Sequence, residues 1–203
     1  MGLIEKVHGG FVHGRRVRVL SERIARLLPD GVSVLDVGCG DGWLARLIQE
    51  LRPSIQLTGL EVLARPDARI PVEPFDGLSL PRADRSVDVV MFVDVLHHTE
   101  DPAALLREAA RVARHSIVIK DHLLDGFLAG PTLRWMDRVG NARHGVALPH
   151  NYWTHQQWTD AFAKFQLNVR EWEGDLALYP RPADWIFGRS LHFLARLEPA
   201  LPT

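Results

Sequence analysis

The apolar positions of this chain change period several times, and each change marks a predicted element. Val17, Leu20, Ile24 and Leu27 recur at helical spacing within 14–28, with arginines on the other face, so an amphipathic helix is predicted there. Pro29-Asp30-Gly31 stops it. The pattern then turns to a β-branched run over 32–37, a predicted strand, and a helix follows from Trp43 to Leu51. Arg52-Pro53 ends that helix, because proline disfavours helix in the residue before it. Apolar runs over 55–62, 70–75, 87–93 and 116–120 predict four further strands. VDVVMFV, at 87–93, is the most continuous run, as expected of a central strand covered on both faces. Asp101 and Pro102 carry the chemistry of a helix start, and that helix is predicted to reach about Arg114. Thr154 heads another, over 154–165, with Trp158, Phe162 and Phe165 on one stripe. Two closing strands are read at 167–172 and 190–197.

Strands alternating with helices at this pitch predict an α/β fold, a doubly wound parallel sheet with ligands at the carboxyl ends of its strands. A single domain over 1–203 is expected: 203 residues, 46% of them hydrophobic, suit one sizeable core. Residues 1–31 are read as an N-terminal cap whose first 14 residues, rich in Gly and His, are ordered only by what they cover. Over 121–153 the alternation breaks, and the aromatic-rich insertion is read as a substrate lid. A net charge of −1 without a long basic run argues against a nucleic-acid partner. With one cysteine, Cys39, the chain has no disulfide framework, and no window approaches a membrane span. A cytoplasmic protein acting on a small molecule, off the membrane, is the expectation; oligomeric state is not legible.

The stretch DVGCGDG, 36–42, sits between the first strand and the following helix. Glycines there let a ligand approach the backbone, and the helix start offers unpaired N–H groups. The spacing is Gly-x-Gly-x-Gly, with Trp43 where a dinucleotide fingerprint places its third glycine. Glu61, at the second strand's end, follows Asp36 by about 25 residues, near the ~20 expected for an acid that takes ribose hydroxyls. Joined with FDGLSLP and SVDVVMFVDVLHHTEDP, these motifs resemble the class I S-adenosylmethionine-dependent methyltransferases, in particular the small group of ubiquinone and menaquinone biosynthesis methyltransferases.

The resemblance implies a Rossmann-like, seven-stranded sheet whose last strand is antiparallel, with S-adenosylmethionine across the tips of the first strands and S-adenosylhomocysteine as product. It assigns Asp36 and the backbone of Gly38, Cys39 and Gly40 to the methionine portion, and Glu61 to the ribose. Asp76 and Gly77 would meet the adenine, and Asp94 and Val95 the sulfonium and its methyl. Methyl transfer from a sulfonium needs alignment and dryness more than machinery, so a general base is optional. His97, Asp121 and His122, at the tips of the fourth and fifth strands, are the catalytic candidates. His98 is read as tying its loop down. Asp94 and Asp121 resemble the paired Mg²⁺ acids of catechol-type O-methyltransferases, but the LHH pattern belongs to a metal-independent group, so no metal is expected. Asn141, Asn151 and Tyr152 are the polar handles for substrate, and Arg15 or Arg16 could meet the cofactor's carboxylate. Oxygen is the expected methyl acceptor, then nitrogen or carbon. The alternatives are a non-catalytic S-adenosylmethionine-binding regulator and an NAD-type oxidoreductase.

Overall fold

The computed structural model describes residues 3–63, 65–141 and 149–200, with the side chains of 3–13, 140 and 141 left undescribed. Its elements run α1 (Leu3–Leu27), β1 (Ser33–Val37), α2 (Trp43–Leu51), β2 (Gln56–Glu61), β3 (Val72–Pro74) and β4 (Val87–Val93). A 3-10 turn (Leu96–His98), α3 (Pro102–Val112), β5 (Ala113–His122), α4 (Ala129–Asn141) and α5 (His155–Lys164) follow. β6 (Leu167–Glu173), α6 (Asp184–Phe187) and β7 (His192–Pro199) complete the chain.

The strands form one seven-stranded sheet in the order β3-β2-β1-β4-β5-β7-β6. β1 to β5 pair in parallel, and β7 runs antiparallel to both β5 and β6. This is the expected α/β architecture, Rossmann-like and doubly wound. Period-two alternation splits the central strands between two apolar layers. Leu35, Phe92, Ile117 and Ile119 meet Leu105, Leu106, Trp158 and Phe162 on one face. Val34, Met91 and Val118 meet Leu20, Ile24, Ala45 and Ile48 on the other. Each fully buried Ile or Leu there contributes about 1.5–3 kcal/mol. The caps behave as their residue types demand: Asp101 accepts from the Ala104 N–H at 3.0 Å, and Thr154 with Gln157 forms a capping box.

Two elements depart from expectation. α1 begins at Leu3, eleven residues before the predicted start near Gly14, so its glycines are carried inside a helix. A Cβ on Gly14 would stand 4.0 Å from the Trp43 ring, an ordinary van der Waals contact, so α1 passes α2 there at normal packing distance. β5 reaches His122, because the antiparallel ladder continues through Asp121 opposite Phe193 and His122 opposite His192. Asp121 and His122 thus end a strand; they do not open the insertion. Between Glu61 and Val72 no helix is present among the described residues. No described helix is long and apolar enough to cross a membrane.

Candidate functional site

A cavity of about 520 Å³ opens at the carboxyl ends of β1, β4 and β5, where parallel strands splay and helices begin. The glycine turn, Asp36, Arg16, Asp94, His97, His98, His122, Asp137 and Tyr179 line it. A second cavity, of about 540 Å³, lies beside Trp172, Trp185 and Arg189 and holds none of the strand-tip acids.

Tight backbone contacts build the glycine side. The Gly38 N–H donates to the Leu60 carbonyl at 2.8 Å, and the Gly40 N–H to Glu61 Oε2 at 2.8 Å. Gly38 takes φ +73°, and a Cβ there would stand 2.6 Å from Val95 Cγ2; at Gly42, φ +71°, it would stand 2.6 Å from Ile70 Cγ1. Neither position admits a side chain. Asp36 is 3% exposed, and burial, then the neighbouring Glu61, push its pKa up to about 8. Burial likewise pushes the Cys39 thiol up to about 12, so it is no nucleophile at neutral pH.

Across the cavity, Asp94 sits at φ +57°, a left-handed conformation that costs a non-glycine residue energy and is over-represented at functional sites. Arg16 of α1 and the fully buried Lys120 of β5 both donate to its carboxylate. Burial alone would raise the Asp94 pKa, but these two cations outweigh it and hold the group well below the usual carboxylate range. Arg16 and Lys120 thus share one carboxylate, while burial pushes the Lys120 pKa down and Asp94 pulls it back up. Lys120 also donates to Nδ1 of His192 at 3.2 Å, and His192 Nε2–H donates to the Phe187 carbonyl at 2.8 Å, which fixes that tautomer.

Next to them lies a histidine cluster. His97 is 1% exposed, with Nδ1 2.5 Å from Asp121 Oδ1 and Nε2 3.6 Å from Asp137 Oδ2. The second distance is an ion-pair separation rather than a hydrogen bond. Burial pushes the imidazole down, but the two carboxylates carry it up to about 9. His98, burdened by burial and then by His97, falls to about 4. His122 is fully buried and held neutral, well below its ordinary value, by burial and then by Lys120. Its Nδ1 is 3.3 Å from the Leu191 carbonyl, which can only accept, so Nδ1 carries the hydrogen and Nε2 keeps its lone pair, 3.5 Å from Asp94 Oδ1 on the wall that both residues line.

A family described as "Methyltransferase domain" matches residues 11–171, which include the glycine turn, both acid-bearing strand tips and the histidine cluster. The chain belongs to that methyltransferase family. The cofactor that goes with it is S-adenosylmethionine. Among curated relatives, the 27-O-demethylrifamycin SV methyltransferase of Amycolatopsis mediterranei is 33% identical over 110 residues, covering 47% of this chain and 40% of that protein. A ubiquinone biosynthesis O-methyltransferase of Sodalis glossinidius is 33% identical over 96 residues, covering 41% of this chain and 38% of that one. The chain thus spans about 40% of the length of the curated relatives it matches. Among solved structures, the geranyl diphosphate C-methyltransferase from Streptomyces coelicolor superposes with a TM-score of 0.67 at 12% identity. That match covers 89% of this chain and 75% of the other, and shows the shared fold.

The structure gathers most of the predicted methyltransferase residues. Asp36, Gly38, Cys39, Gly40, Asp94, His97 and His122 line the cavity. Glu61 stands behind the turn, its second oxygen taking the Val62 N–H at 2.9 Å; two carboxylate oxygens still have lone pairs to share. Val95 packs on Gly38, and Gly77 lies beside Val62. Asp76 is exposed, with Oδ1 accepting from Leu78 and Ser79, outside the cavity wall. The substrate handles fare differently. Asn151 clamps the loop, its Nδ2 donating to the Thr99 carbonyl at 2.6 Å, and the Tyr152 hydroxyl is buried against Asp137. Asn141 ends α4, and its side chain lies outside the described residues. Of the acids weighed above as a pair, Asp94 pairs with Lys120 and Asp121 with His97. Lys120 and Asp137 were missed. A lysine closing the apolar run SIVIK was the available signal for the first; Asp137 had none, since its placement depends on how α4 packs.

Proposed function

We propose that this chain transfers a methyl group from S-adenosylmethionine to a hydroxyl oxygen of a small organic molecule bound beside His122. The observation that carries it is the cavity itself: one wall is the glycine turn with Asp36, and the opposite wall is polar, with a neutral histidine presenting a lone pair. Its volume falls within the ~300–1,000 Å³ of small-molecule sites. When bound, S-adenosylmethionine supplies a methyl already activated by the sulfonium. Asp36 and Glu61 would hold its charged and ribose ends, and Arg16 its carboxylate. His122 would take the hydroxyl proton at Nε2, while His97, flanked by two carboxylates, is a cation and positions rather than abstracts. Methyltransferase relatives named for oxygen chemistry support the acceptor atom.

The test supplies methyl-labelled S-adenosylmethionine with matched phenol, alcohol, amine and activated-carbon acceptors. Label is expected in a hydroxyl compound, with equimolar S-adenosylhomocysteine. Turnover confined to amines or carbon acids would overturn the oxygen assignment. Tight S-adenosylhomocysteine binding with no turnover across the panel would favour the non-catalytic regulator.

A further inference from the structure

The far wall of the cavity holds three groups that the cofactor side does not use. His97 Nε2 and His98 Nδ1 are both buried without a hydrogen-bond partner, and both approach one carboxylate oxygen, Asp137 Oδ2, at 3.6 Å and 4.0 Å. All three atoms lie within 4.8 Å of one another. Buried ring nitrogens are rarely left unpaired, so two aimed at the same point require an explanation. We propose that His97 Nε2, His98 Nδ1 and Asp137 Oδ2 form a binding site for a divalent transition-metal ion of zinc-like softness.

Tetrahedral ligands at ~2.1 Å from zinc stand about 3.4 Å apart, so the two contacts to Asp137 would close by about 0.2 and 0.6 Å, and the two histidine nitrogens, within 4.8 Å of each other, by up to about 1.4 Å through small side-chain rotations. The surroundings are already arranged for it. Asp121 Oδ1, 2.5 Å from His97 Nδ1, holds the hydrogen on that nitrogen, and a bound ion takes the place of the proton that the ion-free ring carries on Nε2, the carboxylate–histidine pairing that orients metal ligands. Asp121 is itself fixed by the Leu96 N–H at 3.1 Å and the His122 N–H at 2.7 Å. The Tyr152 hydroxyl anchors Asp137. Two imidazoles with one carboxylate select zinc, iron, cobalt or nickel over magnesium or calcium. Three protein ligands leave coordination positions open toward the cavity. On the methyltransferase reading an acceptor oxygen reaches them there; the ion site itself does not depend on that reading.

The experiment uses the full chain, stripped with chelator, equilibrated with Zn²⁺, dialysed into metal-free buffer and assayed for bound metal, beside His98→Gln and Asp137→Asn. Circular dichroism checks that each is folded, and S-adenosylhomocysteine binding is measured in parallel. One zinc per wild-type chain is expected, with affinity down at least about tenfold in each variant and no competition from millimolar Mg²⁺. Should one variant not fold, the other, together with visible Co²⁺ absorption of the wild type, reads out the same ligands. Folded wild type that retains no zinc, zinc binding unchanged in the folded variants, or displacement by Mg²⁺ overturns the site. Zinc retained without S-adenosylhomocysteine binding contradicts the cofactor reading and leaves the ion site standing; the reverse pattern does the opposite.

Discussion

Asp36 is the residue whose energetics depend most on whether the cavity is filled. Its pKa of about 8 reflects burial first and Glu61 second, so the ligand-free fold carries a carboxyl it prefers to keep protonated. The unfolded chain loses that proton above pH ~4, whereas the folded chain keeps it until about 8. Ligand-free stability therefore falls as pH rises across that window. Asp36→Asn is expected to raise the melting temperature of the ligand-free protein at pH 8, by about 2–4 °C per kcal/mol recovered, and to leave it unchanged near pH 4. Melting curves across pH check this, and an equal effect at both ends would contradict it. The placement of Asp36, Gly38 and Glu61 around the glycine turn was legible in the sequence because local backbone geometry at strand ends sets it. Lys120 and Asp137 were not, because a buried lysine and an aspartate of α4 acquire meaning only from residues far along the chain.

Element boundaries were legible wherever local chemistry sets them. Asp101 and Thr154 cap their helices as their side chains dictate, and Arg52 ends α2 ahead of Pro53. β5 was underestimated because its last two residues are ordered by pairing with β7, some 70 residues away, which no local pattern shows. α1 ran longer than its glycines suggested. That helix delivers Arg16 to the cavity, where it and Lys120 both pair with Asp94. Arg16→Met is expected to weaken S-adenosylhomocysteine binding about tenfold while sparing 5′-methylthioadenosine, which lacks the amino-acid carboxylate. Calorimetry with both ligands checks this. Equal losses for the two would mean that Arg16 only holds α1 in place.

At the scale of the molecule, the seven-stranded sheet puts the carboxyl ends of its parallel strands at one edge, and the glycine turn, the strand-tip acids and the histidines meet there for that reason. The alternation of strands and helices, and with it a parallel doubly wound sheet, was readable from the sequence; the direction of the last strand came from family resemblance. The insertion's role was the least legible, since Asn151 and Tyr152, polar on paper, are committed to holding the loop and Asp137. The central claim is that one cavity, backed by Glu61, binds S-adenosylmethionine and its product. Calorimetric titration of S-adenosylhomocysteine and NAD into the wild type and Glu61→Ala tests it most directly. One S-adenosylhomocysteine per chain is expected, weakened by ~1.5–3 kcal/mol in Glu61→Ala, and no NAD binding. NAD binding in its place, or S-adenosylhomocysteine affinity unchanged by the substitution, would contradict it.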